Sequence, residues 1–145
     1  MRSVIRRVVT TVGLAGGAVA MAASPAMAAS YFYPNLMPAT GGGHFSGSGH
    51  FSNATSWIFN GNVCNSSTQG HNTGGWMTVT YKDGTSFSSS ELYGGDPGSC
   101  HGFGITQNPA PKAVSKLVWH ACDYDSYGAI TYSCATPQYA NNPYS

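Results

Sequence analysis

Apolar and polar positions alternate with the two-residue period of a strand through most of the chain beyond residue 28. The clearest case is residues 76–92. Met77, Val79 and Tyr81 alternate with Trp76, Thr78 and Thr80, the run Lys82-Asp83-Gly84-Thr85 supplies turn residues, and 86–92 returns. This predicts a hairpin with Met77, Val79 and Tyr81 facing a core. A second pattern covers 114–122. Val114, Lys116, Val118, His120 and Cys122 share one face, and Leu117, Trp119 and Ala121 share the other. Two largely apolar faces predict a central strand, with 129–135 as its hairpin partner. Shorter apolar stretches, Trp57-Ile58-Phe59 and Val63-Cys64, flank Asn60-Gly61, which reads as a turn. Residues 93–102 read as a loop, 103–106 as a short strand stopped by Pro109-Ala110-Pro111, and 138–145 as a polar tail.

No stretch of ten or more residues combines a helical period with caps. Gly, Asn, Ser, Thr and Tyr are plentiful and only 8% of residues are charged, a composition that suits pleated sheets and polar loops and lacks the charge of a disordered chain. The expected fold class is all-β: a small disulfide-stabilised antiparallel β-sandwich or barrel.

The segment before this pattern has a different character. A basic head, Met1-Arg2-Ser3-Val4-Ile5-Arg6-Arg7, precedes an apolar run over 8–23 and the small-residue site Ala26-Met27-Ala28. That order predicts a secretory signal peptide over 1–28, the run being too short and too rich in Gly and Ala for a bilayer span. The rest divides into an arm and glycine hinge over 29–43, a β domain over 44–137 and the tail over 138–145.

Removing the leader changes the charge. All three arginines lie within it, which leaves three lysines against five acids, a formal −2 with His neutral. Such a chain lacks the basic footprint that nucleic acid or an anionic membrane surface requires. Export also decides how the four cysteines read. An even number in an oxidising compartment predicts two disulfides. Of the three connectivities, Cys64–Cys100 with Cys122–Cys134 is preferred, because Cys122 and Cys134 fall on neighbouring predicted strands. Cysteine-bound metal is disfavoured, as no Cys-x-x-Cys pair occurs.

Candidate chemistry is sparse, and no cofactor is expected. His44 and His50 share a face in the small repeat Gly43-His44-Phe45-Ser46 and Gly49-His50-Phe51-Ser52, but an extended strand separates them by about 20 Å, too far to share one ion. The run Asp123-Tyr124-Asp125-Ser126-Tyr127-Gly128 matches the start of a calcium loop, yet position twelve is Cys134 rather than Glu, so a turn with Asp side chains on nearby amides is the stronger reading. No Gly-x-Ser-x-Gly or His-Glu-x-x-His motif is present, and Glu91 is the sole glutamate. A non-enzymatic binding protein is therefore expected.

The arm carries the most suggestive binding signal. Pro34 and Pro38 keep residues 29–40 extended. Either this aromatic arm folds back as an edge strand or frays, or it docks on another secreted protein, with Tyr31, Phe32, Tyr33 and Leu36 as partner anchors. A glycan-binding alternative uses Trp57, Trp76, Trp119, Tyr93 and Tyr124 as stacking candidates, and a protease-inhibitor alternative uses the loop over 94–102. The extended arm, the glycine hinge over 41–43 and a small β domain with Cys64, Cys100, Cys122 and Cys134 together resemble the small secreted adaptor subunits of bacterial umbrella toxin particles. That resemblance implies a non-enzymatic connector between a lectin-bearing subunit and a larger toxin subunit. It assigns no site residues.

Overall fold

A computed structural model describes residues 29–39, 43–66, 71–125, 128 and 130–145. The expected signal peptide over 1–28, the last arm residue, 40, and hinge residues 41 and 42 lie outside the described residues. The described chain forms two antiparallel sheets packed face to face, an all-β sandwich with both expected disulfides. The first sheet holds β1 (Ser30–Phe32), β2 (Asn35–Leu36), β3 (Gly43–Phe51), β4 (Trp57–Asn65) and β8 (Cys100–Gln107), in the order β1-β3-β4-β8 with β2 also on β3. The second holds β5 (His71–Tyr81), β6 (Ser86–Ser88), β7 (Leu92–Tyr93), β9 (Val114–Asp125), β10 (Thr131–Cys134) and β11 (Gln138–Asn141). There β9 pairs with β5, β10 and β11 share the outer edge of β9, and β6 and β7 share the outer edge of β5.

The alternation reads through into packing. Phe45 and Phe51 from β3, Trp57, Phe59 and Val63 from β4, Met77 and Val79 from β5, and Leu117, Trp119 and Ala121 from β9 are all buried between the sheets. The aromatic rings interlock: Phe59 lies 5.5 Å from Trp119 and 5.6 Å from Phe103, centroid to centroid. Each such pair contributes about 0.5–1.5 kcal/mol beyond the area it buries. Both disulfides join directly opposed residues on paired strands, Cys64 with Cys100 on β4 and β8, and Cys122 with Cys134 on β9 and β10.

The structure corrects four expectations. Asn60-Gly61 is not a turn but the middle of β4, where Gly61 lies opposite Gly47 on β3. The glycine is needed because a Cβ there would sit 2.9 Å from the Phe59 ring, so close packing rather than turn geometry selects it. Val114 does not share the outer face with Val118 and His120. A register shift between Thr80 and Tyr81 pairs Tyr81 with Val114 and turns Val114 into the core. The loop after Tyr93 ends earlier than expected, since β8 begins at Cys100. Residues 138–145 are not a tail: Gln138 to Asn141 pair with Lys116 to Trp119, and Asn142 is buried, with its side-chain amide donating to the carbonyls of Asn53 and Ala54.

Candidate interaction surface

The arm is an edge of the sandwich. Ser30, Tyr31 and Phe32 pair with Phe51, His50 and Gly49, and Asn35 and Leu36 pair with Ser46 and Phe45. Between the two short strands the N–H of Gly47 donates to the carbonyl of Pro34 at 3.1 Å. The alternation of a strand then splits the four candidate anchors. Phe32 is only 8% exposed, in ring contact with Phe51 at 5.1 Å and Trp119 at 5.0 Å, and Leu36 is 1% exposed. These two are core residues, and presenting them to a partner would require the arm to leave its own sheet. Tyr31 and Tyr33 point the other way, 64% and 71% exposed, and Met37 joins them at 66%. The Tyr31 ring lies against the His50 imidazole, 5.2 Å between centroids.

Met37 was not among the sequence candidates, although its parity with Tyr31 and Tyr33 carries the signal. Gln138 was missed as well. Its side-chain amide accepts the N–H of Asn35 and donates to the Asn35 carbonyl, so the arm is tied to the second sheet as well as paired to the first. Beside Tyr31 a shallow pocket of about 280 Å³ is lined by His50, Ser56, Trp57, Thr106, Gln107 and Asn108 among others.

The aromatic candidates for sugar stacking also separate. Trp57 and Trp119 are core residues, 3% and 1% exposed. Trp76, Tyr93 and Tyr124 lie on the outer face of the second sheet. Trp76 stacks on His120 with centroids 4.9 Å apart and planes within 6°, and burial pulls the His120 imidazole below its ordinary pKa. Glu91 accepts hydrogen bonds from the phenols of Tyr124 at 2.6 Å and Tyr93 at 3.1 Å. Burial first, and Glu91 second, push both phenols above their ordinary range. Gly74 leaves room for this carboxylate: a Cβ there would stand 2.2 Å from Oε1 of Glu91.

The other carboxylates with described partners are engaged locally. Asp123, fully buried, accepts from Oγ1 of Thr73 at 2.7 Å. Oδ1 of Asp125 accepts the N–H of Ile130. Lys112 lies 2.6 Å from Asp83 and, with Thr85, holds that carboxyl well below the usual range. Residues 126, 127 and 129 of the calcium-like run lie outside the described residues. His44 and His50 do share the outer face of β3, opposite Cys64 and Ile58. Among the described residues no three His, Cys, Asp or Glu side chains converge as metal ligands.

The loop considered for protease inhibition turns its polar backbone inward. The carbonyls of Gly94 and Asp96 accept from Oγ of Ser99, and the carbonyl of Gly95 accepts from the side-chain amide of Asn65. Compared with known proteins, the chain matches no family, no curated protein and no solved structure.

Proposed function

We propose that the chain is an exported, non-catalytic protein-binding module, an adaptor in an extracellular complex of the toxin type, and that it docks through the outward face of its arm. The observation carrying this reading is the row Tyr31, Tyr33 and Met37, exposed on a segment whose other face is buried in the core. Tyrosines held on a rigid strand cover contact area at low entropic cost and keep a polar handle. Export is supported by the pairing of all four cysteines, which an oxidising compartment maintains. The adaptor role rests on the resemblance in organisation.

The test is affinity capture from the producing culture with the tagged protein and with a Tyr31→Ala/Tyr33→Ala variant, read by mass spectrometry. A partner recovered by the parent and lost by the variant supports the reading. Equal recovery by both removes the arm from it. Binding to immobilised glycans that depends on Trp76, Tyr93 or Tyr124, with no protein partner, supports a lectin instead.

A further inference from the structure

The two lateral sides of the sandwich are finished differently. On the arm side the sheets are tied by Gln138 and Asn35. On the other side β4 lies over β5 and β7, and β8 extends beyond β4. Among the described residues no strand pairs with the outer edge of β8. Natural edge strands are protected by charge, proline, bulges or brevity. The edge at β10 carries a register shift, β6 is three residues long, and β1 and β2 are separated by Pro34. β8 has none of these devices. It runs for eight residues, Cys100 to Gln107, without charge, proline or register shift.

The seam beside β8 is apolar. Phe103 and Ile105 point inward and are only partly buried. On the opposing sheet Phe87 pairs with Val79 and Leu92 with Gly75, so both take the core-facing side, yet they are 59% and 37% exposed. The hydrogen-bonding groups of the edge can also be placed. The N–H of Asn65 donates to the carbonyl of Ser99, and antiparallel alternation from that pair directs the N–H and C=O of Gly102, Gly104 and Thr106 away from β4.

We propose that β8 is the docking edge for a second copy of this chain, paired antiparallel with its own β8 about a two-fold axis at Gly104. This register matches Gly104 with itself and Gly102 with the second copy's Thr106. Those are the residues whose backbone groups face outward, and they form about six main-chain hydrogen bonds, two per close pair. On the inner face Phe103 meets the second copy's Ile105, an aromatic and β-branched pair that stabilises cross-strand contacts. Neither member of any matched pair is an Asp, Glu, Lys or Arg, so an uncharged edge meets an uncharged edge. The interface is isologous and closes at two subunits, and it leaves the Tyr31 face of both copies free.

The test is sedimentation equilibrium of the disulfide-intact protein at concentrations up to the order of 100 μM, with Kd read from mass action. Two variants accompany it. Ile105→Lys places an ammonium in the seam, and Gly104→Pro removes the N–H at the axis, a change that edge strands tolerate. Near-UV circular dichroism verifies the fold of each. A dimer that weakens roughly tenfold or more in either folded variant, with concentration-dependent protection of the Gly102, Gly104 and Thr106 amides from hydrogen exchange, supports the proposal. A parent protein that stays monomeric throughout overturns it. So does a dimer unaffected by both variants, or one lost on Tyr31→Ala/Tyr33→Ala, which places self-association at the arm.

Discussion

The side-chain amide of Gln138 binds both backbone groups of Asn35, accepting its N–H at 2.9 Å and donating to its carbonyl at 2.7 Å. A residue 103 positions away in sequence thus does for the arm what a neighbouring strand would do. Among the described residues no strand pairs with the outer edge of the arm, and this clamp occupies the backbone groups of Asn35, which an edge otherwise offers to other chains.

Gln138→Ala removes two exposed hydrogen bonds and leaves the pairing of the arm with β3 intact. A net cost of about 1 kcal/mol is expected, with faster hydrogen exchange confined to the arm. Global loosening in the exchange map would show that the clamp holds more than the arm.

Gly75→Ala tests the packing between the sheets. A Cβ on Gly75 would stand 2.3 Å from the Phe45 ring and 2.9 Å from Val63. Both neighbours are buried, so the ring has little space to yield, and a loss of about 1–3 kcal/mol is expected from urea denaturation. An unchanged midpoint would mean that Phe45 repacks freely.

The disulfides differ in the length of chain they close, with sequence separations of 36 for Cys64–Cys100 and 12 for Cys122–Cys134. In the chain-entropy account these correspond to about 4 and about 3 kcal/mol. The double variant Cys64→Ala/Cys100→Ala is therefore expected to lose more stability in urea than Cys122→Ala/Cys134→Ala. The reverse order would assign the bonds a role beyond loop closure.

Burial against Trp76 lowers the folded pKa of His120 from its ordinary value of 6.5. The unfolded chain then takes up the proton first, so the neutral imidazole's contribution is complete above pH 6.5 and is lost as pH falls through the folded value. Urea midpoints measured from pH 7.5 down to pH 5, as a window of about two units below neutrality, are expected to fall, and His120→Gln is expected to flatten that decline. A decline of equal size in the variant would assign it to other groups.

Much of the architecture was legible because alternation is a local signal. The hairpin from Trp76, the two faces of β9 from Lys116 onward and the pairing of Cys122 with Cys134 follow from parity and spacing alone. Asn60-Gly61 misled because the reason for its glycine is the Phe59 ring, a contact that turn chemistry does not encode. The segment from Gln138 looked like a tail because an edge strand whose core-side positions are Gln138 and Ala140 carries almost no apolar period. The arm was half legible. Its aromatic content drew attention to Tyr31, Phe32, Tyr33 and Leu36, but which of them face outward depends on β3, a strand beyond the hinge. The same parity, carried through Pro34, points to Met37.

In the proposed function one short segment has two faces with separate duties: Phe32 and Leu36 hold the fold, and Tyr31 and Tyr33 meet the partner. Melting and partner affinity measured on the same two variants test this division. Phe32→Ala is expected to lose about 3–5 kcal/mol of stability. Tyr31→Ala/Tyr33→Ala is expected to stay within about 0.5 kcal/mol of the parent per residue and to weaken binding of the captured partner about 30-fold or more. A double tyrosine variant that binds as the parent does, or that unfolds as Phe32→Ala does, would contradict the account.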